Sequence, residues 1–298
     1  MPILERVVED IALKDQKHGR KLHKYLKQQN GLFFEQAERF LVGMERYLAQ
    51  TNKTLEDATE AYLRMRTDMQ GLYEDFVENE RYLHTSFAEV NAANYQQPEV
   101  MEYHMLGLTL AQFLWPDQYE RFRFFAASLA STGLKAGRYL EIGAGHGLYL
   151  AEAVRLLGEK WHYDVVDISP TSLDMAKAQV QHPAVHYQLA DVFEMHPARG
   201  YDLIVMGELI EHLEDPLAML KKAESLLAEG GQIYLTTPAN APMIDHIYLF
   251  RNADEIRELC REANLKVLTE SIMYTDNLPQ EVAERFKLPM MYAAFLGN

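Results

Sequence analysis

Beyond residue 135 the chain alternates short apolar runs with helical patterns, and this alternation restricts the fold more than any other feature. The runs 139–142, 161–167, 185–189, 202–206 and 232–236 read as strands, with less regular candidates at 266–274 and 289–296. Helical patterns lie between them at 148–157, 170–181, 216–227 and 253–264. Ser169-Pro170 and Asp215-Pro216 each place a capping side chain ahead of a proline suited to the first helical position. Asn252 with Glu255 resembles a capping box, and Gly230-Gly231 is expected to end the helix before it. Such alternation predicts an α/β fold, a doubly wound, mostly parallel sheet with helices on both faces. Ligands bind such sheets beyond the C-terminal strand ends, where the strand order reverses. The chemistry is therefore expected in the loops after Ile142, Asp167, Leu189, Met206 and Thr236.

Before residue 130 the pattern is helical. Leu4, Val7, Val8 and Ile11 recur at helix spacing, as do Phe33, Phe34, Ala37, Phe40, Leu41 and Met44. Gly31 suits a helix C-terminus, and Thr54 with Asp57 opens a long helix to about residue 79. Pro98 opens another, which Trp115-Pro116 breaks before a helix starting at Asp117. Two regions are expected, an all-α domain over 1–130 and a sheet domain over 131–298. The aromatic-rich stretch 95–125 holds Tyr103, His104, Phe113, Trp115, Tyr119, Phe122, Phe124 and Phe125. It reads either as helical core or as the flat apolar wall of a pocket, with Tyr248 and Phe250 as candidates for the opposite wall.

Charge and cysteine use exclude several classes. The 298 residues hold 29 Lys+Arg against 44 Asp+Glu, a formal charge of −15. Residues 1–130 carry 15 basic and 20 acidic groups, and residues 131–298 carry 14 and 24. A nucleic-acid groove needs clustered Lys and Arg, so nucleic acid is not an expected partner. No apolar run approaches the roughly 18 residues of a membrane span, and the N-terminus lacks the apolar core of a signal peptide. Cys260 stands alone, so no internal disulfide can form. It reads as a small buried hydrophobe and fits a cytoplasmic location.

The first strand runs into Glu141-Ile142-Gly143-Ala144-Gly145-His146-Gly147. Glycines there permit tight turning and close backbone approach to a ligand, and the following helix aims its amides at the same place. The spacing is G-x-G-x-G, with Leu148 where a dinucleotide fingerprint has its third glycine, which disfavours NAD. Asp167 ends the second strand, where a carboxylate can accept both hydroxyls of a ribose. Asp191 follows the third, where it can accept from an adenine amino group. Each acid alone could be a solvated loop residue or a cap. Together with the glycine loop they make 137–298 resemble the class I S-adenosylmethionine-dependent methyltransferases. The resemblance implies a seven-stranded sheet of order 3-2-1-4-5-7-6 and S-adenosyl-L-methionine as cofactor. It implies that Gly143, Gly145 and Gly147 approach the methionine part, that Asp167 holds the ribose and that Asp191 with Val192 borders the adenine. Glu141, Ala144, Ile168, Gly207 and Glu208 complete the expected cofactor contacts.

The fourth strand leads into Gly207-Glu208-Leu209-Ile210-Glu211-His212. On a helical turn, Glu208, Glu211 and His212 would share one face within about 100°. His246 follows the fifth strand, at a neighbouring loop. Glu208, Glu211, His212 and His246 could bind a divalent cation such as Mg, Mn, Fe or Zn, which would hold an acceptor hydroxyl and lower its pKa. The pattern E-x-x-E-H with a later D-H is similar to the ubiquinone-biosynthesis O-methyltransferases and the small-RNA 3′-end methyltransferases, and that similarity implies such a metal. Without a metal, His212 or His246 beside Glu211 is the candidate general base. His146 is a weaker candidate, and His18 and His23 read as solvated.

The expected function is methyl transfer from S-adenosylmethionine to oxygen or nitrogen of a small-molecule acceptor. One alternative is a protein or carrier-tethered acceptor docked by the helical domain; another is a non-catalytic regulatory protein that binds the cofactor. The N-terminal helices would serve as lid, docking surface or homodimer interface.

Overall fold

A computed structural model describes residues 1–131 and 136–298, so the change of pattern near residue 135 lies largely outside the described residues. The N-terminal helices are α1 (Ile3–Lys14), α2 (Gln16–Leu26), α3 (Gly31–Gln50), α4 (Leu55–Asn79), the single turn α5 (Phe87–Val90), α6 (Pro98–Leu114) and α7 (Pro116–Ser131). There follow β1 (Gly137–Ile142), α8 (Leu148–Leu157), β2 (Trp161–Asp167), α9 (Pro170–Gln179), β3 (Val185–Leu189) and β4 (Tyr201–Gly207). The chain closes with α10 (Pro216–Ser225), β5 (Leu227–Ala239), α11 (Ala253–Glu262), β6 (Lys266–Tyr274), α12 (Gln280–Arg285) and β7 (Met290–Gly297). The strands form one sheet in the order β3-β2-β1-β4-β5-β7-β6, with β7 antiparallel to both its neighbours. No helix among the described residues is long and apolar enough to cross a membrane.

Side chains alternate across the pleat and divide the core. Tyr139, Leu203 and Val205 pack with α7, α8 and α9, whereas Leu140, Ile204 and Met206 pack with α10 and α11 on the other face. A third cluster, built on α1–α4 and α6, stacks onto Leu148, Met175 and Ala178 of α8 and α9. Helix α7 serves both regions: Tyr119 and Phe122 join the helical cluster, Phe125 and Leu129 the sheet. The helical layer is thereby held over the C-terminal strand ends of β1 and β4, where the order reverses.

Caps and strands follow the sequence pattern with two corrections. Thr54 and Asp57 form a reciprocal capping box. Gly31, expected at a helix C-terminus, instead opens α3, because Asn30 before it accepts a hydrogen bond from the Phe33 amide at 3.0 Å and caps the helix. Gly230-Gly231 does not stop α10, which ends at Ser225, and both glycines lie inside β5. A Cβ on Gly231 would stand 2.6 Å from the Tyr201 carbonyl oxygen, so glycine is required there by close strand approach.

Candidate active site

Gly143, Gly145 and Gly147 all have positive φ, at 73°, 52° and 77°, the left-handed region that glycine enters freely. The loop they form lines a cavity of about 790 Å³ that runs between the strand ends and the helical layer. Glu141 and Asp167 face it from β1 and β2. Burial pushes the Glu141 carboxyl up to about 8 although the Tyr139 hydroxyl donates to it, and the Asp167 charge adds to the rise. Burial also raises Asp167, to about 6, against amides of Ser169, Gly145, Ala144 and Ile168 that donate to it and favour its charge. Ala144, Ile168, Gly207 and Glu208 line the same cavity. Asp191 and Val192 do not. Asp191 is exposed and accepts from the Phe193 amide at 2.9 Å, and Val192 is buried beneath.

The residues after β4 do not form the helical turn expected of them. Glu208 is left-handed (φ 52°), and only Ile210–His212 makes a 3₁₀ turn. Glu208 therefore leaves the face of Glu211 and His212, and its carboxylate pairs with Arg121 at 2.6 Å. Of the four proposed metal ligands, Glu211, His212 and His246 converge, with donor atoms within 4.8 Å of one another. The loop after β5 is strapped to this turn, since the Ile247 and Tyr248 amides both donate to the Glu211 carbonyl at 2.9 Å. His212 Nδ1 lies 2.9 Å from the Asp245 carbonyl and His246 Nδ1 2.6 Å from that of Ala241. These acceptors assign the proton to each Nδ1 and leave each Nε2 with its lone pair. Glu211 is fully buried; Thr237 Oγ1 donates to its Oε2 at 2.9 Å, and its Oε1 has no hydrogen-bond partner. Burial, reinforced by the Glu208 charge, lifts the Glu211 carboxyl to about 8. Burial works against a charged His212, but Asp245 and Glu211 outweigh it and raise its pKa; His246 is driven down to about 3 by burial and by His212.

Three contributors escaped the sequence reading. Arg121, 2% exposed on α7, carries a buried Nε without a partner, as does Glu208 Oε1 opposite it. Its signal was its place among Gln118, Phe122 and Phe125 on the buried stripe of α7. Asp245, quoted in the D-H pair, stands between His212 and His104 at 3.6 Å from each. Tyr82 accepts from the Ala241 amide at 3.1 Å and packs its ring on His246.

Half of the aromatic stretch is core. Phe113, Tyr119 and Phe122 are buried in the helical cluster and Phe125 against the sheet, while Tyr95, His104 and Trp115 line the cavity. Tyr248 and Phe250 pack against each other at a tilt in the core of the other sheet face rather than on the cavity. His18, expected in solvent, is buried, lines the cavity and bonds the Tyr62 hydroxyl at 2.9 Å. His146 packs edge-on against Phe40, and burial lowers its pKa to about 3. Cys260 is buried as expected.

A family described as a methyltransferase domain matches residues 117–270. Ubiquinone biosynthesis O-methyltransferases are among the similar curated proteins. That of Xanthomonas campestris pv. campestris is 30% identical over 117 residues, 38% of this chain and 48% of the relative. That of Coxiella burnetii is 35% identical over 107 residues, 35% of this chain and 44% of the relative. The chain thus spans about half the length of the curated relatives it matches. Among solved structures, a SAM-dependent methyltransferase of Leishmania major superposes with a TM-score of 0.51 at 21% identity, covering 70% of this chain and 82% of that one. That likeness concerns the fold.

Proposed function

This chain belongs to the methyltransferase-domain family, and on that basis we propose that it transfers the methyl group of S-adenosylmethionine to a hydroxyl of a small molecule, with a divalent cation held by Glu211, His212 and His246. The observation that carries the reading is one cavity whose floor is the positive-φ glycine loop and whose wall includes two of the three convergent donors, His212 and His246. The ubiquinone biosynthesis O-methyltransferases among its relatives support oxygen as the atom methylated. Residues of α2, α4 and α6 give the cavity walls above the strand ends, a concave shape that favours a free small molecule over a docked macromolecule.

The residues present fit the cofactor. The glycine loop offers amides at a bend with no Cβ in the way, and Asp167 offers carboxylate oxygens to a ribose. Arg121 Nε and Glu208 Oε1, buried and unpartnered, match the carboxylate and ammonium of an amino acid. When bound, the cofactor supplies an electrophilic methyl group on a sulfonium. The donor set of one carboxylate and two imidazoles fits a borderline cation such as Zn, Mn or Fe better than Mg. Asp245 and Ala241 carbonyls hold both imidazoles in the tautomer that frees Nε2, the outer-shell arrangement that orients ligands. Such a cation supplies Lewis-acid stabilisation of an oxyanion. The chain's own work is positioning and exclusion of water, since in-line displacement needs its reactants about 3 Å apart in a dry site.

Calorimetry with S-adenosylhomocysteine tests the cofactor assignment. The protein binds it, and Asp167→Ala weakens binding more than tenfold, about 1.4 kcal/mol. Unchanged affinity in the variant refutes the ribose contact; no binding by the parent protein refutes the function.

A further inference from the structure

Helix α6 stands over the glycine loop, since a Cβ on Gly145 would lie 3.5 Å from the Met105 methyl carbon. Gln112 follows Met105 by two helical turns and so shares its face, and both residues line the cavity. The Gln112 side chain is 3% exposed, and a chain of hydrogen bonds that starts at Arg121 fixes its orientation. A guanidinium only donates, so Gln118 turns its oxygen to Arg121 Nη2 and its amide nitrogen to the Met291 sulfur, at 3.9 Å. The same Gln118 oxygen accepts from Gln112 Nε2 at 3.2 Å. Gln112 therefore spends its nitrogen on α7 and turns its Oε1 away from Gln118. That oxygen is buried and has no hydrogen-bond partner. At the other end of the network, Glu208 Oε2 pairs with Arg121 Nη1, and Glu208 Oε1 is likewise without a partner. One network thus holds two incomplete acceptors, Gln112 Oε1 and Glu208 Oε1, and one incomplete donor, Arg121 Nε. Buried polar atoms left this way cost stability, and they persist where a ligand completes them.

We propose that Gln112 is a binding residue for the amino-acid end of the cofactor, its Oε1 accepting a hydrogen bond from the ammonium beside Glu208. This rests on S-adenosylmethionine as the cofactor of the proposed function. An ammonium carries three N–H donors, enough for both incomplete oxygens, and the neighbouring carboxylate takes Arg121 Nε. Glu208 alone would leave the Gln112 oxygen unmet. The inference gives the helical layer a part in cofactor recognition, beyond walling the acceptor space. The glycine loop and Asp167 offer their groups to the adenosyl part from the strand ends, and α6 and α7 close on the amino acid from above. A nucleoside ligand without an ammonium gains nothing from Gln112.

Three ligands separate this contact from a packing role. S-adenosylhomocysteine carries ammonium and carboxylate. 5′-S-(3-carboxypropyl)-5′-thioadenosine keeps the carboxylate and has hydrogen in place of the ammonium, and 5′-methylthioadenosine lacks both. Calorimetry gives the dissociation constant of each for the parent protein and for Gln112→Met and Gln112→Leu, two apolar replacements of similar size. The parent protein is expected to prefer S-adenosylhomocysteine to the deamino ligand. Each variant is expected to weaken S-adenosylhomocysteine about 10- to 100-fold, as for loss of a hydrogen bond to a charged group, and the other two ligands less than about threefold. Equal weakening of all three ligands marks a packing role and overturns the inference. Unchanged binding of S-adenosylhomocysteine by folded variants overturns it as well. If the parent protein binds S-adenosylhomocysteine and the deamino ligand equally well, the cofactor reading stands and the ammonium contact falls. If the parent protein binds none of the three, the proposed function fails and this inference with it. If neither variant folds, as judged by circular dichroism, Gln112 serves the packing of α6 and the inference is overturned.

Discussion

The buried ion pair between Arg121 and Glu208 makes an asymmetric prediction. The Arg121 side chain is 2% exposed and that of Glu208 26%, so the two partners differ in how far water can replace what is lost. Burial alone would depress the guanidinium's pKa, yet Glu208, together with Tyr149 and Tyr234, more than offsets it and keeps the pKa above the ordinary value. Glu208→Gln preserves shape but strands a positive charge that cannot reach solvent and cannot lose its proton. Removing one partner of such a pair costs about 3–5 kcal/mol. Arg121→Met leaves a side chain that is 26% exposed and can turn its carboxylate toward water, and methionine refills the volume beside Met291, so the loss is about 1–2 kcal/mol. The double variant strands neither charge and is less destabilised than Glu208→Gln alone, a coupling on the order of 1–3 kcal/mol. Urea unfolding followed by circular dichroism, with the m-value unchanged among variants, reads all three. If Arg121→Met destabilises as much as Glu208→Gln, or the double variant is the least stable, the charge is not confined as described.

Glu141 predicts a pH effect. Its carboxyl titrates at about 8 in the fold against 4.5 in the free group, so the folded state binds the extra proton. Stability is lost as pH rises from 4.5 to 8, and Glu141→Gln removes that slope. The variant therefore gains on the parent protein by an amount on the order of a few kcal/mol between pH 5 and pH 8; parallel stability curves contradict this. The convergent donors predict that Mn²⁺ or Zn²⁺ at 100-fold above its dissociation constant raises stability by about 2.7 kcal/mol, and that Glu211→Gln abolishes most of the gain. Equal shifts in the melting temperature of parent and variant place the ion elsewhere.

How far the sequence disclosed this molecule depended on the range of each signal. Strand and helix boundaries in the sheet region were legible because side-chain period reports burial direction directly: Leu203 and Ile204 face opposite cores, as their alternation requires. Caps were legible because they act over three or four residues, as at Thr54, Ser169 and Asp215. Gly31 and Gly230-Gly231 misled because a glycine marks freedom of backbone without saying what uses it. At Gly31 a neighbouring Asn30 decided the matter, and at Gly231 the Tyr201 carbonyl across the sheet did.

The candidate site divides in the same way. Glu211, His212 and His246 could be grouped in advance because two adjacent loops carry them, but Glu208 could not be excluded from the group by spacing. Its left-handed backbone turns it toward Arg121, a residue on a different layer of the fold. The same holds for Asp245, whose neighbours His104 and His212 come from α6 and from the turn after β4. Period and spacing describe one element at a time. The polar pairs at the cavity centre instead join the helical layer to the strand ends, and they exist only once α6 and α7 are seated there. The Arg121–Glu208 and His104–Asp245 pairs are thus held by packing between layers, so substitutions in the α6–α7 core should disturb the geometry of Glu208 and Asp245 without touching either.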